Sequence, residues 1–320
     1  MSNLTKLTVS PHIHSGRSTG RIMLDVIIAL SPALAMGVVI FGLRALLVAA
    51  VCIGCCVGFE ALYNLIVKRD QSIGDLSAIV TGMLLAMNLP ANVPLWQCVI
   101  GSLFAIVVVK CLFGGIGQNL VNPAIAARVF MLVAFGSMAT PAFPDPNGLL
   151  TRVIGVHNYV DTVSTATPLA AEKMPHLLTL LLGTHGGAIG ETCAIALIAG
   201  GIYLLARRVI RWEIPVTFIA TVFVFSFFMD GFNIYDALSQ VLAGGVIIGA
   251  FFMATDYVTS PPTPWGKVIF GIGCGLMTCV IRYFGNYPEG VSFAILFMNI
   301  VNPYICKWTR YKVFGVGGAK

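Results

Sequence analysis

Charge is scarce in this 320-residue chain: thirteen Asp and Glu with nineteen Lys and Arg, 10% of the residues in all. Soluble domains carry about 25%. That shortage excludes a globule clothed in charged side chains and any large water-facing domain. The bases fall in short scattered clusters with no aromatic–basic stripe, which excludes a nucleic-acid surface despite a net charge of +6. Histidine is also rare, and none of the five has metal-ligand spacing, so no metal is expected. The first 21 residues lack an apolar core ending in a small-residue cleavage site. No cleavable signal peptide is therefore expected, and insertion would begin with the first spanning helix.

Apolar residues are abundant, at 58%, and the mean hydropathy is +0.90. About 20 such residues make one spanning helix. Between charges and turn residues the apolar segments are 22–43, 45–67, 75–89, 95–113, 121–137, 189–206, 214–229, 236–255, 268–281 and 291–307. These predict an all-α polytopic membrane protein with about ten transmembrane helices. The segment 75–89 would give roughly 22 Å of helix against about 30 Å of hydrocarbon, so it is expected to be a partial span.

With the N-terminus in the cytoplasm and ten crossings, fourteen bases fall inside, among them Lys110 and Arg207 to Arg211. Four fall outside: Arg44, Arg152, Lys173 and Arg282, while Arg128 sits within a helix. This distribution obeys the positive-inside rule and puts both termini in the cytoplasm. The polar stretch 138–176 then lies outside and divides the spans five and five. The expected layout is a cytoplasmic segment 1–21, a five-helix repeat 22–137, an extracytoplasmic loop 138–188, a second repeat 189–308 and a cytoplasmic tail 309–320. Val121-Asn122-Pro123 and Val301-Asn302-Pro303 fall near the last helix of each half. Asp75-Leu76-Ser77 and Asp236-Ala237-Leu238-Ser239 fall near the middle. Five helices per half would make the repeats inverted, as in many transporters.

Nine cysteines lie almost wholly inside apolar runs. Cys52-x-x-Cys55-Cys56 has no second pair at ligand distance, and buried cysteine commonly acts as a small hydrophobe. Gly114-Gly115-Ile116-Gly117 lacks the strand and the Lys-Ser/Thr pair of a phosphate loop, so it is read as a helix interruption. In a transporter-like fold such an interruption often borders a ligand, which makes Asn119 and Asn122 candidate ligand contacts. Among the acids, Glu60 lies deep in its span with no base three or four positions away. A carboxylate there must be protonated, paired with another helix, or facing a hydrated path, and it is the first ion-path candidate. Asp25, four residues after Arg21, has an i,i+4 partner and is the second.

The outside loop contains Asp161-Thr162-Val163-Ser164-Thr165-Ala166-Thr167. Its Asp-x-x-Ser-x-Ala-Thr pattern resembles the signature at which flavin transferases attach FMN to threonine by a phosphoester. That resemblance makes Thr167 the expected covalent FMN site, with Asp161, Ser164 and Ala166 as recognition residues. Thr165 stands where glycine is common in such signatures.

A wider resemblance runs over nearly the whole chain. It is carried by Ser10-Pro11-His12, Thr81-Gly82-Met83-Leu84-Leu85-Ala86, Gly114-Gly115-Ile116-Gly117-Gln118-Asn119 and Asn122-Pro123-Ala124. It continues through Gly187-Ala188-Ile189-Gly190-Glu191, Phe252-Met253-Ala254-Thr255-Asp256 and Thr259-Ser260-Pro261. Arg282-Tyr283-Phe284-Gly285 and Pro288-Glu289-Gly290-Val291-Ser292-Phe293-Ala294 complete it. These segments resemble the D subunits of the Rnf-type ion-translocating electron-transport complexes, which are related to the B subunits of the sodium-pumping NADH:quinone oxidoreductases. Tyr257 departs from the proline common after Thr255-Asp256.

The resemblance implies a prokaryotic inner-membrane protein that works only within its complex. There it would pass electrons between ferredoxin and NAD, coupled to Na⁺ or H⁺ movement. It also implies a second, non-covalent flavin as an option, and a flavin as the ligand at Asn119 and Asn122. The partners it implies are the flavinylated G subunit, the A and E membrane subunits, and a flavin transferase. The alternatives are a flavin-free solute transporter or channel with inverted repeats, and the quinone-reducing B subunit itself.

Overall fold

The computed structural model describes residues 18–135, 176–183, 185–191, 193–285 and 290–311. Helix α1 (Thr19–Phe41) opens at Ser18, whose hydroxyl accepts from the Arg21 backbone N–H. Gly42 alone, at φ 76°, joins it to α2 (Leu43–Val67). A 3₁₀ turn (Ile73–Asp75) and left-handed Leu76 lead into α3 (Ser77–Met87). At 11 residues, α3 is about 16 Å long at 1.5 Å per residue, short of a bilayer core, as its apolar segment predicts.

Helix α4 (Leu95–Leu103) continues as a π-helical stretch, Phe104–Cys111. The chain then turns through Gly114, Gly115 and Gly117, all at positive φ, so the glycine run does interrupt the helix. Asn122 caps α5 (Pro123–Ala134), and Pro123 suits its first turn because that turn needs no N–H there. Helices α6 (Leu177–Leu182), α7 (Ala194–Ala206), α8 (Glu213–Met229) and α9 (Ile234–Leu242) follow. Helix α10 (Val246–Ile248) runs on π-helically through Gly249–Met253. Helices α11 (Pro264–Phe284) and α12 (Val291–Trp308) end the described bundle.

Helices α1, α2, α11 and α12 are each long and apolar enough to cross a membrane. Helices α9 and α10 meet that test together but bend by 64° at the break between them. The chain is an all-α, polytopic membrane protein with at least four apolar spans. Lipid supplies little drive for apolar helices to associate, so close backbone approach matters. A Cβ on Gly82 of α3 would lie 2.9 Å from the Cys52 carbonyl oxygen of α2. Cβ atoms on Gly271 and Gly275 of α11 would each lie 3.0 Å from a carbonyl oxygen of α8, those of Ile214 and Phe218. The opposite face of α11 is a stripe of exposed Trp265, Ile269, Ile272, Leu276, Val280 and Phe284, three or four residues apart. A helix in lipid presents such a stripe to the acyl chains.

Other features also depart from the sequence expectations. Asn122-Pro123 begins α5, whereas Asn302-Pro303 lies inside α12, where Asn302 donates to the Thr259 carbonyl at 3.0 Å. Asp75 ends a 3₁₀ turn, whereas Asp236 lies in the first turn of α9. The paired motifs thus occupy different local settings. Lys110 and Arg282, counted from the sequence as charges at the membrane faces, both turn into the bundle instead.

Candidate functional site

Among the described residues, two ion pairs are buried inside the helical bundle. The first joins α2 to the end of the π-helical stretch: Lys110 Nζ lies 2.7 Å from Glu60 Oε2. Lys110 also donates to Ser77 Oγ at 2.7 Å. Ser72 Oγ donates to Glu60 Oε1 at 2.5 Å, and Asn64 Nδ2 to Ser72 Oγ at 3.0 Å. Glu60, Lys110, Ser77 and Asn64 are all buried. Local structure makes the meeting possible. The left-handed Leu76 starts α3 at Ser77, and the π-helical winding, a feature common at functional sites, carries Lys110 to it. Isolated, either charge would be strongly disfavoured; paired and hydrogen-bonded, both can remain.

The second pair is Arg128 of α5 with Glu191, 2.9 Å apart. Arg128 Nη1 also donates to Asn88 Oδ1 at 2.6 Å, and Asn88 Nδ2 to the Leu84 carbonyl at 2.6 Å. This cluster borders the α9–α10 break: a Cβ on Gly245 would lie 3.0 Å from Glu191 Oε1. On the other side of the break, Arg282 donates to the Gln240 carbonyl at 2.7 Å and the Ala243 carbonyl at 3.1 Å. These are carbonyls that α9 leaves unpaired at its C-terminal end, where a cation also suits the helix dipole.

A cavity of about 110 Å³ is lined by Lys110 of the first pair and by Ser77. Its polar wall includes Lys110, Ser77, Thr81, Asn119 and Asn122, and its apolar wall Val26, Val80, Phe251 and Phe252. It has room for several waters and enough polar groups to hold them. Asn122 donates to the Met253 carbonyl at 3.3 Å, tying α5 to the end of α10. Asn119 Oδ1 is buried without a hydrogen-bond partner.

Of the two ion-path candidates, Glu60 has the interhelical partner that its burial demands, and Lys110 is the residue the sequence reading missed. Its signal was present: Lys110 lies inside the apolar run 95–113. Asp25 is elsewhere, accepting from Tyr203 at 3.0 Å and Arg207 at 3.3 Å. The i,i+4 pattern with Arg21 does not foretell these bonds across to α7. Asp161, Ser164, Ala166 and Thr167 lie outside the described residues. The nine cysteines are free, seven of them buried and Cys55 and Cys306 half-buried.

An all-α membrane bundle with buried ion pairs, a broken helix and a polar cavity defines the class: a polytopic membrane protein with a partly polar interior. Residues 6–315 match the model of the NQR2, RnfD, RnfE family, and the chain belongs to that family. It is 45% identical over 323 residues to the D subunit of the Na(+)-translocating ferredoxin:NAD(+) oxidoreductase complex of Acetobacterium woodii, covering 98% of this chain and 96% of that one. It is 39% identical over 331 residues to the D subunit of the proton-translocating ferredoxin:NAD(+) oxidoreductase complex of Clostridium ljungdahlii, covering 98% and 97%. With the D subunit of the ion-translocating oxidoreductase complex of Actinobacillus succinogenes it shares 36% over 348 residues, covering 98% of each.

This chain is therefore a multi-pass inner-membrane subunit of an ion-translocating oxidoreductase complex, alongside other membrane and electron-carrying subunits. The family assignment corrects the cofactor expectation. It identifies a membrane subunit, and neither the family description nor these relatives' names attach a flavin to it. Covalent FMN at Thr167, the second flavin, the flavin transferase as partner, and flavin contacts at Asn119 and Asn122 are accordingly withdrawn.

Proposed function

We propose that this chain contributes part of the ion path of a complex that moves electrons between ferredoxin and NAD, with Glu60 and Lys110 at its centre. The observation that carries the reading is the buried Glu60–Lys110 pair beside a polar cavity. Intramembrane ionisable groups are costly, and those that face a hydrated cavity mark ion or proton routes. A proton or Na⁺ reaching Glu60 would weaken its hold on Lys110, which keeps Ser77 and cavity water as partners. Departure of the ion restores the pair. Asp25, at the Arg207 end of α1, is the second candidate on the route.

In this reading the chain crosses the membrane ten times, five spans on either side of 138–188, with both termini cytoplasmic. The positive-inside charge distribution supports this. The partners implied are the A and E membrane subunits and the flavinylated G subunit.

The test uses the whole complex in proteoliposomes, with an ion-sensitive dye read beside ferredoxin-dependent NAD reduction. Glu60→Gln strands Lys110 and should lower stability, so the assay is read on variant complex that still assembles. There electron transfer should continue and ion uptake per electron should fall. Unchanged ion movement per electron would remove Glu60 from the path, and the same assay would then be applied to Asp25→Asn.

A further inference from the structure

Three of the four tryptophans, Trp212, Trp265 and Trp308, are 61%, 75% and 72% exposed. They lie at one end of the bundle. The Thr263 hydroxyl donates to that of Thr309 at 2.7 Å, which sets the start of α11 beside the end of α12. Helix α8 runs parallel to α11: Gly271 packs on Ile214 and Thr217, and Gly275 on Phe218 and Thr221. The start of α8 is therefore at the same end.

Basic side chains accompany the tryptophans. Arg211 precedes α8, Lys267 lies in the first turns of α11, and Lys307 and Arg310 flank the end of α12. Arg211 and Glu213 lie close enough to Lys267 for their charges to act on it. Glu213 Oε1 is 3.7 Å from Arg211 Nη1, so one carboxylate faces two cations, and its Oε2 has no hydrogen-bond partner. Arg211, Lys267, Lys307 and Arg310 outnumber this one carboxylate, so the edge keeps a net positive charge that an anion would offset.

What lies below this basic edge decides the kind of anion. The α11 stripe begins at Trp265 and stays apolar to Phe284. On α12 the exposed Phe297, Ile300 and Tyr304 lead in the same way to Trp308. An occupant must be apolar along the stripe and anionic at its basic end. Tryptophan marks headgroup depth, and basic pockets between helix ends suit anionic headgroups. We propose that the edge formed by Arg211 and Lys267, between the starts of α8 and α11, binds the phosphate of an anionic glycerophospholipid whose acyl chains lie along the α11 stripe.

The test measures association of spin-labelled phosphatidylglycerol and phosphatidylcholine with the assembled complex in nanodiscs. The wild-type complex should prefer the anionic lipid. R211Q and K267Q should each lower the preference by up to about fivefold, the effect of one surface cation. The charge-preserving pair R211K/K267R should retain it, which separates loss of charge from misfolding. Added inorganic phosphate should leave the preference unchanged. Equal association of both lipids with wild type, or an unaltered preference in R211Q/K267Q, would overturn the proposal. So would displacement of the lipid by free phosphate. Loss of another membrane protein of the complex from R211Q/K267Q, with no lipid preference in the intact complex, would assign the edge to an acidic protein partner instead.

Discussion

Lys110 Nζ sits 2.7 Å from Glu60 Oε2, although the two residues are 50 positions apart and both are buried. Removing one partner of a buried pair commonly costs about 3–5 kcal/mol, because the other charge is stranded. Lys110→Met should therefore destabilise the chain by about that amount. The double variant Glu60→Gln/Lys110→Met should recover much of the loss, since neither charge remains. Thermal aggregation of the detergent-solubilised complex, followed by size exclusion, measures both. A loss in the double variant equal to the sum of the two single losses would mean that the pair is not coupled.

At the α9–α10 break, Gly245 leaves room for a charged neighbour. Gly245→Ala would put a methyl 3.0 Å from Glu191 Oε1 and 3.7 Å from Arg128 Nη1. Its backbone φ of −81° is open to alanine, so crowding is the whole effect. We expect a loss of about 1–3 kcal/mol, typical of overpacking. Gly54→Ala in α2 is the control, because a Cβ there meets nothing within 4 Å. It should be neutral, or gain up to about 1 kcal/mol from helix propensity. A Gly245→Ala chain as stable as Gly54→Ala would show that the Arg128–Glu191 cluster yields freely.

Topology is tested by single-cysteine labelling on a cysteine-free background. A membrane-impermeant reagent applied from outside should label position 147 and spare position 208. Labelling of 208 from outside, or failure at 147, would require a different number of crossings on one side of 138–188.

The Asp256 carboxyl, beyond the end of α10, is pushed up from the usual 3.8 by burial. The Thr259 hydroxyl and the backbone N–H groups of Val258 and Tyr257 oppose the shift. A raised folded-state value means that protonation favours the folded chain. The contribution is complete below 3.8 and is lost as pH rises through the higher folded value. Asp256→Asn should flatten this slope, and above it the variant should be at least as stable as the parent. Melting temperatures across the acid range would show it, and identical pH profiles for parent and variant would refute it.

Composition alone determined the solvent of this protein, because 10% charge cannot cover a soluble surface. Hydropathy and turn chemistry are local, so the helical segments, the short α3 and the break at Gly114–Gly117 were legible from one residue to the next. The motif series carried the family for a similar reason, being stretches of adjacent residues. Glu60 stood out because a deep carboxylate is costly in any apolar segment.

Its partner was another matter. Lys110 looked like a charge at a membrane face, and only π-helical winding and the packing of α2 against it brought the two together. The same holds for Arg128, which meets Asn88 across 40 positions and Glu191 across 63. Arg282, read from its position as an outer charge, instead satisfies the open carbonyls of α9. Hydropathy ranks the cost of burying each charge singly. Which opposite charge or carbonyl offsets that cost depends on how the helices pack, and that was decided only in the tertiary structure.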